Sequence, residues 1–154
     1  MRVLIADDER RSALALADSL SAEHDIAYVG IANCARSAYE LTNALAPDVV
    51  VVARRLDDGN GIAATAELKH RFPELRVIVL TDVFDTEFVP RAAAARASAL
   101  LSENGELSEM LNVIRDEDSD EFYVNPRVYT TFASKDTMIS GRARVLRRRA
   151  HAAS

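Results

Sequence analysis

A chain of 154 residues suffices for one domain with a sizeable core and a short extension. Hydrophobic residues make up 49% of it, no apolar run approaches a membrane span, and two acids stand within the first eight residues; this argues against a membrane span or secretory signal and favours a cytoplasmic protein. The lone Cys34 excludes an intramolecular disulfide, and the net charge of −5 is unevenly spread, since no acid follows Asp136.

The body alternates short apolar runs with amphipathic segments, the pattern of a parallel sheet flanked by helices. Val3 to Ala6 reads as a buried strand, and residues 10–22 as a first helix with Leu14, Leu16 and Leu20 as its apolar positions. Ile26 to Ile31, a β-branched run around Tyr28, predicts the second strand. Ala35 to Leu45 follows as a helix, with Ala38, Leu41 and Leu45 at helical spacing and Pro47 as its stop. Cys34, just ahead of it, reads as a small buried or half-buried side chain.

Val49 to Val52 is an uninterrupted valine run, the strongest strand signal in the chain. Asp57-Asp58-Gly59-Asn60-Gly61 has turn chemistry, and a third helix runs from Ile62 to Phe72, before Pro73. Val77 to Leu80 gives a fourth strand. Asp85 to Ala95 reads as an alanine-rich helix that tolerates Pro90 at a kink or near its start. A short fifth strand, Ala99 to Leu101, and a fifth helix, Ser108 to Arg115, complete the body.

Beyond residue 115 the character changes. Asp116-Glu117-Asp118-Ser119-Asp120-Glu121 reads as an acidic bridge, and Asn125-Pro126 as the cap and first position of a short helix through Phe132. The tail carries Arg142, Arg144, Arg147, Arg148 and Arg149, which leaves fourteen basic residues against twenty-four acids in residues 1–141. It is either a solvated terminus or a contact for an acidic partner, such as nucleic-acid phosphates or the body of another protomer. The residues after Phe132 are too few for a helix-turn-helix domain with its own core, so no complete DNA-binding domain is expected in 116–154.

Five strand–helix units predict an α/β fold over residues 1–115: a flavodoxin-like, doubly wound, five-stranded parallel sheet of order 2-1-3-4-5 with five helices, followed by a C-terminal helical extension. Ligands of such sheets sit beyond the carboxyl ends of the strands, where strand order reverses. Those ends present Asp7 and Asp8, then Ala53, then Thr81 and Asp82, then Ser102.

Val3-Leu4-Ile5-Ala6-Asp7-Asp8-Glu9, the segment Pro47 to Gly61 and Val77-Ile78-Val79-Leu80-Thr81 together resemble the receiver domain of two-component response regulators, over about residues 2–115. Residues 108–132 further resemble the last helix and linker of receivers joined to helix-turn-helix transcription factors. The resemblance implies phosphoryl transfer from a histidine kinase to an aspartate, with magnesium held by acids, a lysine pairing the phosphoryl group and a hydroxyl coupling the site to the surface. The acid pair is present as Asp7 and Asp8, and the switch hydroxyl as Thr81. The phosphoacceptor position is Ala53, the lysine position Ser102 and the aromatic switch position Ala99, while Asp82 puts a carboxylate where a small residue is usual. A methyl group cannot attack phosphorus, so aspartyl phosphorylation at the normal site is not expected. Asp57 and Asp58 read as ordinary turn acids, with phosphorylation at such a neighbouring acid as the alternative.

Asp7, Asp8 and Asp82 would raise one another's pKa unless something compensates. Arg54, beside Ala53, is the favoured internal cation; magnesium on Asp7 and Asp8 is the second reading, and acids solvated at an open rim the third. No cofactor is required. Catalysis is not expected, because His24, His70 and His151 lie away from the crevice. The chain reads as an atypical receiver acting in transcription-linked signalling through ligand binding, dimerisation with itself or another regulator, or partner contacts. DNA would be reached through an output domain or a partner. Leu107, Met110, Leu111 and Ile114 are candidate contacts on the last helix, with a core-facing role expected for most of them.

Overall fold

The computed structural model describes residues 1–82, 87–118, 121–126 and 145–147, the last three by backbone alone. Its strands and helices run β1 (Arg2–Ala6), α1 (Arg10–Ser21), β2 (Ala27–Ala32), α2 (Ala35–Leu45), β3 (Val49–Ala53), β4 (Arg55–Leu56), β5 (Gly59–Asn60), α3 (Gly61–Arg71), β6 (Arg76–Thr81), α4 (Phe88–Ala94), β7 (Ala99–Ser102), α5 (Leu107–Arg115), β8 (Glu121–Val124) and β9 (Val145–Arg147). The main sheet has the order β2-β1-β3-β6-β7-β8-β9. Its first five strands reproduce the expected 2-1-3-4-5 order, all pairing in parallel.

The valine run explains why β3 lies near the centre. Val49 to Val52 are at most 1% exposed, and each such side chain is stabilised by roughly 1.5–3 kcal/mol on full burial. Two of the five helices, α2 and α3, start at a side-chain acceptor. Asn60 Oδ1 accepts from Ala63 N–H at 2.8 Å, and Cys34 shares a capping box with Ser37 ahead of α2. Pro90 falls in the first turn of α4, where its missing N–H costs no helical bond.

The structure departs from the sequence expectation in three places. The acidic bridge leads into a sixth parallel strand, β8, which pairs Ala99↔Tyr123 and Leu100↔Val124 with β7, and β9 adds antiparallel to it. Phe122 and Val124, alternating along β8, are 1% and 0% exposed, so the strand is held by two buried side chains. The loop after β3 forms a two-strand hairpin, β4 with β5. The first helix buries Ala13, Ala17 and Leu20, whereas Leu14 is 43% exposed. The expected start of the fourth helix at Asp85 and the expected helix from Asn125 to Phe132 fall largely outside the described residues. Among the described residues, no helix is long and apolar enough to cross a membrane.

Candidate functional site

The strand order reverses between β1 and β3, and there the carboxyl ends of β1, β3, β6 and β7 open into a crevice of about 760 Å³. Asp7, Asp8, Ala53, Arg54, Asp82 and Ser102 all line it, whereas Thr81, expected beside them, does not. Ala53 ends β3 and is 5% exposed; its methyl contributes no nucleophile. Gly61 lies directly on the Ala53 carbonyl, where a Cβ would collide, and its N–H donates to the Arg54 carbonyl at 2.7 Å. The Ala53 backbone is therefore clamped whatever its side chain.

Asp7 is half-buried, and its Oδ1 accepts from Glu9 N–H at 2.9 Å. Burial raises its pKa; the Glu9 N–H opposes the rise, and the charges of Asp8 and Glu9 add to it. Glu103, just past β7, behaves similarly: burial raises its pKa, followed by the charges of Asp82, Asp7 and Glu9, with Arg54 acting the other way. Sequence reasoning missed Glu103, although a charged residue directly after a strand of this sheet is itself a signal for the crevice.

Arg54 brings its Nε to 3.8 Å from Asp82 Oδ1, an ion-pair distance but no hydrogen bond. That Nε is itself buried without a hydrogen-bond partner. Thr81 is fully buried, and Ser102 is 4% exposed, its Oγ accepting from Asn104 N–H at 3.2 Å. Ser102 thus shapes the loop after β7 and supplies no cation. Ala99 starts β7, fully buried, with Tyr123 in register on β8.

Asp58 is committed elsewhere. Its carboxylate takes the N–H groups of Ala35 at 2.6 Å and Arg36 at 3.1 Å, which lower its pKa and cap α2 from across the crevice loop. Of the α5 candidates, Met110, Leu111 and Ile114 are buried, while Leu107 is 39% exposed. His24 and His70 are exposed and do not line the crevice; His151 lies outside the described residues, as do Arg142, Arg144, Arg148 and Arg149 and the side chain of Arg147. Among the described residues, no three acid, histidine or cysteine side chains converge as a metal cluster. A magnesium site of the receiver kind needs a carboxylate where Ala53 has a methyl, so the donor set here does not fit one.

Residues 3–115 match the response regulator receiver domain family model. The response regulator protein VraR of Staphylococcus epidermidis is 26% identical over 83% of the chain and 61% of the relative. The DNA-binding transcriptional activator DevR/DosR of Mycobacterium tuberculosis is 32% identical over 75% of the chain and 54% of the relative. The chain therefore spans a little over half the length of these relatives. Among solved structures, a LuxR-family two-component response regulator from an Aurantimonas species superposes with a TM-score of 0.80, at 22% identity, over 88% of this chain and 97% of that one. A structure of two RcsB dimers bound to two parallel DNAs superposes with a TM-score of 0.78, at 18% identity, over 86% and 67% of the two chains. At these identities the structural likeness is one of fold.

Proposed function

The chain belongs to the response regulator receiver family, and from that premise we propose that it is a signalling module whose state is set without an aspartyl phosphate. The observation that carries this reading is Ala53: at the end of β3, on the crevice wall, the position of the acceptor carboxylate holds a methyl. Ser102 in place of the lysine, and Asp82 beside Thr81, support it, because each removes or opposes a contact that a phosphoryl group requires. Arg54 serves as an internal cation for Asp82 and, more weakly, for Glu103. The protein is no enzyme on this reading. It regulates transcription through dimerisation or a partner, with exposed Leu107 as one contact, and it reaches DNA through an output domain or that partner.

Incubation with a small-molecule phosphodonor and magnesium, followed by intact mass and oligomer size, tests the central claim. The expected result is an unchanged mass; an acid-labile adduct accompanied by dimerisation overturns it. Phosphorylation at a neighbouring acid is the alternative, and Asp58 is a poor acceptor because both its oxygens already hold α2 N–H groups. A second reading, a receiver portion of a DNA-binding regulator, is favoured by the partial coverage of DevR/DosR. For the arginine tail, salt-sensitive retardation of DNA that disappears when the five arginines are replaced is the supporting result.

A further inference from the structure

A hollow of about 600 Å³ lies at the other end of the sheet, beside the amino ends of β3 and β6. The end of α2 and its exit supply Thr42, Ala46 and Pro47 to it, and the loop from α3 into β6 supplies Phe72, Pro73 and Leu75. That size is ordinary for a small-molecule site, and such sites are mostly apolar with a few placed polar groups.

Both walls are built in advance of any guest. Lys69 Nζ holds the carbonyls of Pro73 at 2.6 Å and Leu75 at 2.7 Å, and Leu75 N–H donates to the Phe72 carbonyl at 3.0 Å. On the α2 side, Arg2 holds the Leu45 carbonyl at 2.6 Å, and Ala46 N–H donates to the Thr42 carbonyl at 3.0 Å. Ala46 stands in the left-handed region at φ 47°, a conformation that favours glycine, so the exit from α2 carries strain beside the hollow.

One group on these walls is unsatisfied. Thr42 is 3% exposed, and its Oγ1 is sealed from solvent without a hydrogen-bond partner. Buried polar groups are nearly always paired, because an unpaired one costs the fold its desolvation. A helical threonine divides between two χ1 rotamers, so the hydroxyl turns to meet a guest without leaving a low-energy state. The charges around the hollow are already met. Arg76 donates to the carbonyls of Val113 and Ile114, and Arg71 pairs with Glu67 at 2.7 Å and lies 4.7 Å from the centre of the Tyr39 ring. Asp48 accepts from Arg2 N–H at 2.7 Å, and Glu74 and Glu117 are exposed to water. The hollow therefore offers a guest apolar surface and one neutral hydroxyl. A charged head would lose its hydration among groups that need no counter-ion, whereas an uncharged head gives up far less.

We propose that this hollow is a ligand site for a compact, mainly apolar molecule with a single uncharged hydroxyl or amide group that pairs with Thr42 Oγ1. It lies at the opposite end of the strands from the crevice and does not rest on the proposed loss of phosphorylation.

Amide NMR of the full chain tests it, with benzyl alcohol as the probe and toluene, benzylamine and benzoate as comparisons. Benzyl alcohol is expected to shift the amides of Thr42, Ala46, Phe72 and Leu75 saturably, with a Kd of about 1 mM or tighter, and toluene to bind at least about fivefold more weakly. Thr42→Val keeps the side chain's shape without its hydroxyl. It should weaken benzyl alcohol to the level of toluene and leave toluene unchanged, and its Tm should not fall, because the hydroxyl has no partner to lose. The proposal is overturned by an absence of saturable shifts, by undiminished benzyl alcohol binding in the Thr42→Val protein, or by tighter binding of benzylamine or benzoate. A lowered Tm overturns it too, since the hydroxyl would then be satisfied within the fold. If Thr42→Val does not fold, the native chain decides alone: equal affinity for benzyl alcohol and toluene sinks the idea. A phosphoryl adduct in the phosphodonor experiment would sink the proposed function while leaving this site untouched.

Discussion

The two ends of the parallel sheet treat charge in opposite ways. At the amino ends of the strands, cations find their acceptors. Lys69, 7% exposed, donates from Nζ to the carbonyls of Pro73 at 2.6 Å and Leu75 at 2.7 Å; Arg2 reaches the Leu45 carbonyl at 2.6 Å, and Arg76 donates to the carbonyls of Val113 and Ile114. At the carboxyl ends, Arg54 Nε has no hydrogen-bond partner, and the pKa values of Asp7 and Glu103 are raised. At the first end the cations are satisfied, and the buried group left without a partner is a neutral hydroxyl, Thr42 Oγ1. The second is left with charge to spare, the condition in which a ligand or a neighbouring chain finds something to satisfy.

Substitutions sharpen that contrast. The largest effect belongs to neither end but to the closed edge of the sheet: Phe122→Ala should cost about 4 kcal/mol in urea unfolding, from lost burial and the cavity left under β8. Lys69→Ala at the first end strips two short bonds, from the carbonyls of exposed Pro73 and buried Leu75, and should cost about 2 kcal/mol by the same measurement. Arg54→Ala at the unsaturated end should cost less than about 1 kcal/mol, because its ion pair is long and half-exposed. If Arg54→Ala proved as costly as Lys69→Ala, the contrast between the ends would collapse.

The smallest effect is a pH dependence with a definite sign. A carboxyl whose pKa is raised by folding favours the folded state below its ordinary value, and that advantage is lost as pH rises through the raised value. For Asp7 and Glu103 the window therefore begins near the ordinary values of 3.8 and 4.5 and extends upward. Asp25, held at about 2 chiefly by its hydrogen bond from Arg115, works in reverse: its contribution is present above 3.8 and fades as pH falls towards 2. Thermal unfolding across this range should show that Asp7→Asn raises Tm slightly at neutral pH and flattens the upper part of the curve. A lowered Tm would mean that the Asp7 carboxylate is compensated after all.

Much of this was legible from the residues. The valine run of β3 fixed the centre of the sheet because few other environments accept four consecutive β-branched side chains. The strand-end rule then places Asp7, Asp8, Ala53, Thr81, Asp82 and Ser102 at one crevice, and all of these but Thr81 line it. The sixth strand was not legible: Glu121 to Val124 is only four residues long, follows a run of acids, and depends for its stability on α4 and Glu109, which lie far away in sequence. The first helix misled for a related reason. Leu20 is buried and Leu16 packs against the core as its spacing implies, but Leu14 is 43% exposed, and Ala13 and Ala17 take the other core positions. Glu103 escaped because its importance comes from neighbours on three other strand ends.

The glycine that presses on the Ala53 carbonyl has a consequence for engineering. Because Gly61 meets Ala53 at main-chain atoms, exchanging the side chain at 53 leaves the mould around it uncut. Ala53→Asp would therefore set a carboxylate into the crevice that Asp7 and Asp8 line without disturbing the Gly61 contact.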